Sequence, residues 1–105
     1  MVVVTRKDLT PGHQAVQAAH AAIDFQHQYP NLAKIWHANS NYLVFLATEN
    51  EFTLEDLIRK ARSKDISFSI FREPDLENQI TAVAFQPCEN TRKICSHLPL
   101  ILKNS

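Results

Sequence analysis

The sequence predicts an α/β protein, a three-layer α/β/α arrangement around a mixed, mostly parallel sheet of four or five strands. Three observations lead there. Short β-branched or apolar runs alternate with longer segments of helical pattern, the order that buries a sheet between two helical layers. At 105 residues the chain has room for one core, so residues 1–105 are expected to form a single domain. A hydrophobic fraction of 45% is that of a globular chain rather than a disordered one.

The elements follow in order. Val2 to Thr5 is β-branched throughout and reads as a buried strand. Thr10-Pro11 then supplies an N-cap followed by proline at the first helical position. From there an alanine-rich helix runs to about Gln28, where Pro30 interrupts it. Leu32 to Ala38 reads as a short second helix carrying Trp36, and Tyr42 to Ala47 as an apolar strand. Thr53 is placed to cap a helix ending near Ser63, with Leu54, Leu57, Ile58 and Ala61 at helical spacing.

Ser67 to Phe71 alternates polar and apolar as a strand does, and Pro74 closes it. Ile80 to Phe85 makes a fourth strand, close enough in sequence to the third to predict an antiparallel pair. Glu89 to His97 reads as a final helix, and Leu98 to Leu102 as a last extended segment. Cys88 and Cys95 stand seven positions apart in this region. Along a helix that is roughly 10 Å, too far for a disulfide, so both are expected as reduced structural thiols.

Composition excludes several functions. Glycine occurs once, at Gly12, so no glycine-rich phosphate loop or dinucleotide fingerprint can be written. Eleven basic and 11 acidic residues leave no net charge, which argues against strong non-specific nucleic-acid binding. The cluster Arg59, Lys60, Arg62 and Lys64 reads as a solvated helix face. No apolar run approaches the ~20 residues needed to cross a bilayer, and Met1 to Val4 is too short for the apolar region of a signal segment. The expectation is a cytoplasmic protein with no membrane contact and no cofactor.

The first helix carries the chemistry. Ala15, Ala18, Ala19 and Ala22 form a small-residue surface suited to close approach to a sheet. His13, Gln17, His20 and Asp24 fall on one face at spacings of four, three and four. This polar stripe begins at the helix N-terminus, where free N–H groups and the dipole favour an anion such as phosphate. His13, His20 and His27 recur every seven residues, but side chains two turns apart do not share one ion readily, so no metal site is expected.

Arg6-Lys7-Asp8-Leu9 followed by Gly12-His13-Gln14-Ala15-Val16-Gln17-Ala18-Ala19-His20-Ala21 resembles the signature of the type-2 peptidyl-tRNA hydrolase family. Thr81-Ala82-Val83-Ala84-Phe85-Gln86-Pro87 is similar to that family's Thr-Val-Leu strand, and Trp36 falls where the family often has tryptophan. The resemblance implies hydrolysis of the ester between a peptide and the terminal ribose of tRNA, and a possible homodimer. It also implies site residues: His13 where the family has lysine, Glu73 or Asp75 for its aspartate, and Thr81 for its strand threonine. On this reading Glu73 or Asp75 orients His13, His13 takes a water proton, and Thr81 with helix N–H groups holds the oxyanion. Gln17 and His20 contact the terminal nucleotide, and Arg6, Lys7 and Arg72 its phosphates. The stretch Arg72 to Ile80 is shorter than its counterpart in the family and lacks a threonine and the glycines. Two other readings therefore stand beside the first: a non-catalytic tRNA- or protein-binding module, and an esterase or amidase for another acyl substrate.

Overall fold

A computed structural model describes residues 1–102 of the chain. The β-branched Val2–Arg6 forms β1, and Thr10 caps α1, Pro11–Gln28, its hydroxyl accepting from the His13 N–H at 3.4 Å. Pro30 cannot continue that helix and opens α2, Pro30–Ala38, at its first position. β2, Val44–Thr48, follows, and then α3, Glu51–Ser63. β3, Phe68–Glu73, leads through a single 3-10 turn at Pro74–Leu76 into β4, Gln79–Phe85, and α4 spans Glu89–Cys95.

The α3 start corrects one expectation: Asn50 is the N-cap. Its Oδ1 accepts from the Thr53 N–H at 3.1 Å while Thr53 Oγ1 accepts from the Asn50 N–H at 3.0 Å. Thr53 is thus the third residue of the helix, the inner partner of a reciprocal capping box and one turn inside the position predicted for it.

The four strands are ordered β2-β1-β4-β3. The sheet is mixed, as predicted, but it is not mostly parallel in its pairing. Only β1 with β2 is a parallel pair, while β4 runs antiparallel to both of its neighbours, β1 and β3. β1, β2 and β3 do point the same way. The difference arises because β4 inserts between β1 and β3, taking the central position that suits its run of six buried residues, Ile80 to Phe85. A fifth strand does not form among the described residues. Instead Leu100 makes an isolated antiparallel bridge to Leu46, and backbone bonds Ala47 N–H to Pro99 O (3.0 Å) and Ile101 N–H to Phe45 O (3.1 Å) cover the β2 edge.

The three layers follow from strand alternation. Val4, Leu46, Val83 and Phe85 face α3 and α4, meeting Leu54, Leu57, Ile58, Ile94 and Cys95. Val3, Ala82 and Ala84 face α1, meeting Ala18, Ala21 and Phe25. Alanine on both surfaces lets helix and sheet approach closely. Ala19, assigned by sequence to this surface, points to solvent, and Ala21 occupies that face instead. Cys88 is the N-cap of α4 and half-buried, and Cys95 is buried, its thiol pushed up to about 12 by desolvation; both are free thiols. Among the described residues no helix is long and apolar enough to cross a membrane.

Candidate functional site

Strands β1 and β3 end, β4 begins and α1 begins at one end of the sheet. This is where open α/β sheets commonly bind ligands, outside the carboxyl ends of strands. Residues far apart in sequence meet there for three local reasons.

The first is a bulge. Pairing of β3 with β4 runs Phe71↔Ala82 and then Arg72↔Ile80, so Thr81 is skipped. The extra residue breaks the alternation and re-aims a side chain, as bulges beside functional sites do. Ile80 and Val83 lie in the cluster facing α3, while Thr81 points to α1, where its hydroxyl donates to Gln17 Oε1 at 2.8 Å. The backbone groups around the bulge are satisfied by side chains from other elements. Thr5 Oγ1 donates to Thr81 O at 2.8 Å, Arg6 Nη1 to Ile80 O at 3.0 Å, and the Ile80 N–H donates to Glu51 Oε2 at 2.8 Å.

The second is the Arg6–Asp8 pair. Arg6 Nε and Nη2 donate to the two oxygens of Asp8 at 2.9 and 2.8 Å, and Nη1 also donates to Gln79 Oε1 at 3.0 Å. These bonds raise the Arg6 pKa and hold the Asp8 carboxyl below its ordinary range. Arg6 is 6% exposed and four of its five N–H donors are engaged. It pins the start of β4 and does not present a free guanidinium at the surface.

The third is Gln17, only 3% exposed. Its Nε2 donates to Glu73 Oε2 at 2.9 Å, so one amide joins Thr81 on β4 to Glu73 at the end of β3. Glu73 Oε1 accepts from the Asp75 N–H at 3.3 Å. The Gln17 bond first, then the Asp75 N–H, with smaller help from the charges of His20 and His13, keeps the Glu73 carboxyl below its ordinary value. Glu73 rather than Asp75 is therefore the carboxylate turned toward α1. Asp75 is exposed and contributes its backbone N–H.

The remaining predicted residues lie around this link. His13 is exposed on the first turn of α1. Proline at position 11 has no N–H to leave unpaired, and His13 and Gln14 donate to the Thr10 hydroxyl and carbonyl. The first-turn donor without a partner among the described residues is Gly12 N–H, and a Cβ built at Gly12 would meet nothing within 4 Å. His20 is exposed and lies flat on Phe71, ring centroids 4.4 Å apart and planes 5° from parallel. Lys7 Nζ makes an exposed pair with Glu49 at 3.4 Å, and Arg72 Nη1 donates to Asn78 O at 3.2 Å on the surface.

Gln17 and Thr81, assigned by sequence to nucleotide and oxyanion, are thus buried and bonded to each other, and Arg6, assigned to phosphate, is buried too. Residues that the sequence reading passed over are Thr5, Glu51 and Phe71; the Arg-x-Asp spacing of Arg6 and Asp8 is the one signal that could have identified the pair. Trp36 belongs elsewhere: with Met1, Tyr42 and Arg92 it lines a groove of about 910 Å³ that includes the starts of β1 and β2, the opposite end of the sheet. Among the described residues no group of three or more His, Cys, Asp or Glu is placed to hold a metal ion.

Residues 1–101 match the family described as peptidyl-tRNA hydrolase PTH2. A peptidyl-tRNA hydrolase of Thermococcus onnurineus (strain NA1) is 33% identical over 112 aligned positions, covering 95% of each chain. One from Methanocaldococcus jannaschii is 34% identical, covering 96% of this chain and 98% of the relative. A solved structure of a protein of unknown function from Agrobacterium tumefaciens strain C58 shares the fold, with a TM-score of 0.62 at 14% identity over 94% of each chain.

Proposed function

The chain belongs to the peptidyl-tRNA hydrolase PTH2 family, and we propose that it releases peptides from peptidyl-tRNA by ester hydrolysis with His13 as the proton-transfer group. The observation that carries this reading is the Gln17 link, which fixes an ionised Glu73 beside the first turns of α1. A carboxylate held this way orients an imidazole and stabilises it once it has gained a proton.

In the proposed reaction a water oxygen attacks the ester carbonyl carbon while His13, initially neutral, takes the water's proton. The Gly12 N–H at the open end of α1 faces the developing oxyanion. The bond from carbonyl carbon to ribose oxygen then breaks, and His13 returns the proton to that oxygen, giving a peptide acid and free tRNA. Thr81 and Asp75 act through others. Thr81 sets the Gln17 amide so that its Nε2 points at Glu73, and Asp75 lends its N–H to the same carboxylate. Lys7 and Arg72 on the rim contact phosphates of the acceptor end, His20 meets the terminal nucleotide, and Arg6 holds the framework.

A substrate made during translation implies a cytoplasmic protein that binds tRNA, and the family resemblance implies a homodimer, which sedimentation would test. The reaction needs no cofactor in this scheme. Purified protein is expected to release N-blocked aminoacyl groups from tRNA, with His13→Ala losing at least a hundredfold in rate. Undiminished turnover in that variant would remove His13 from the reaction. Salt-sensitive tRNA binding without turnover would instead favour a binding module.

A further inference from the structure

We propose that His20 and Phe71 form a nucleobase-stacking subsite that takes the terminal adenine of the tRNA, with His20 as the contacting plate and Phe71 as the positioning residue beneath it. The proposal rests on the hydrolase reading above and adds the feature by which the acylated nucleoside is aligned.

The geometry points there. An exposed histidine on a helix ordinarily samples several rotamers in water. Here the His20 ring is laid on the Phe71 ring at 4.4 Å and 5°, so one ring face is covered and the other looks outward. Phe71 is itself fixed, packed among the side chains between α1 and the sheet. The two residues lie beside the catalytic link on α1 and β3: His20 lies one turn beyond Gln17 on α1, and Phe71 lies two residues before Glu73 on the same face of β3. Two residues along a strand span roughly 6.5 Å, comparable with the span from a base to the acylated hydroxyl of its own ribose. A base stacked on His20 would therefore bring its ester toward Glu73 and His13.

Gln17 cannot supply this contact, since both ends of its amide are engaged within the protein. Trp36, the single tryptophan, is on the groove at the far end. The ligand class follows from the surface offered, the exposed face of a stacked aromatic pair: a flat aromatic base, recognised by its face. Stacking of this kind is tolerant of base identity, so adenine is expected because it is the base that carries the acylated ribose in tRNA.

The test compares steady-state hydrolysis of one N-blocked amino acid carried by tRNA with a normal terminal adenosine and by the same tRNA with a base-less terminal ribose. Wild-type protein is expected to show a KM about ten- to hundredfold lower for the base-bearing substrate. In Phe71→Ala and His20→Ala that ratio should fall toward one, mainly through KM rather than kcat, and His20→Phe should restore it. An equal KM for the two substrates in wild-type protein, or a ratio unmoved in Phe71→Ala, would overturn the subsite. Loss of all turnover in wild-type protein would instead defeat the hydrolase reading, and the subsite is then read by binding alone. A minihelix ending in CCA should bind at least fivefold tighter than one ending in CC, with the preference lost in Phe71→Leu, a variant that keeps an apolar side chain at that position. Equal binding of the two minihelices would overturn the proposal independently of catalysis.

Discussion

Thr81 reaches Glu73 through one side-chain amide: its hydroxyl donates to Gln17 Oε1 at 2.8 Å, and Gln17 Nε2 donates to Glu73 Oε2 at 2.9 Å. Because a hydroxyl has one proton to give, Thr81 is committed to this bond and has no donor left for a substrate oxygen. The threonine therefore decides which way the amide faces, and the amide decides where the carboxylate sits.

Gln17→Leu breaks both bonds at once and leaves the Thr81 hydroxyl buried without an acceptor. An unsatisfied buried polar group costs about 1–3 kcal/mol. Urea unfolding should show a loss of that size at an unchanged slope. Glu73, released from the link, should also support hydrolysis poorly. A Gln17→Leu protein of wild-type stability would mean that the link is not formed in solution.

Arg6→Lys should destabilise the protein by about 2–4 kcal/mol. It removes a planar fork that serves Asp8, Gln79 and the Ile80 carbonyl together, in a position that is 6% exposed. The salt dependence of tRNA binding should stay as it is, because Arg6 has no free guanidinium for phosphate. Lys7→Gln and Arg72→Gln should each reduce that dependence by about one ion. A flattened salt slope in Arg6→Lys would return Arg6 to the phosphate contacts.

The α1 motif was legible in the sequence because helical spacing places His13, Gln17 and His20 near one another whatever the tertiary structure does. The depth of each side chain was not. Gln17 sits one residue from the small alanine that faces the sheet, and a rotation of the helix by a fraction of a turn decides between burial and solvent. Thr81 was identified as a site residue through resemblance, but nothing in Gln79-Ile80-Thr81-Ala82 announces a bulge, since the run reads equally well as a regular strand. The insertion of β4 between β1 and β3 was hidden for a related reason. A buried strand shows the same apolar run whichever way its neighbours point, and only the short β3–β4 connection fixed one of the directions.

Gly12→Ala separates structure from substrate approach. The backbone at position 12 is helical and a Cβ meets nothing within 4 Å, so the variant should be unchanged in stability or gain up to about 1 kcal/mol. Hydrolysis should nevertheless fall, because the new methyl group sits beside the Gly12 N–H, the first-turn donor without a partner among the described residues. Full activity in a stable Gly12→Ala protein would move the oxyanion away from the start of α1.

The depressed Glu73 carboxyl makes a pH prediction whose sign is fixed. A carboxyl held below its unfolded value contributes stability that is fully present above that value, about 4.3, and is lost as pH falls through the lower folded one. Asp8, held low by Arg6, acts in the same direction. Acid titration of stability should therefore fall less steeply in Glu73→Gln than in wild-type protein, with the two curves parallel from pH 6 to 8. Identical acid limbs would show that the carboxyl is not held by Gln17 and the Asp75 N–H in solution.

The most direct test of the central claim, that Glu73 fixed by Gln17 is the carboxylate that supports His13, is hydrolysis of N-blocked aminoacyl-tRNA by Glu73→Gln and Asp75→Asn measured side by side. The geometry predicts a loss of about a hundredfold or more in kcat for Glu73→Gln and a change within about threefold for Asp75→Asn, since Asp75 meets the Glu73 carboxylate through its backbone N–H and Gln17 bonds Glu73. A large loss in Asp75→Asn with near-normal turnover in Glu73→Gln would contradict the assignment.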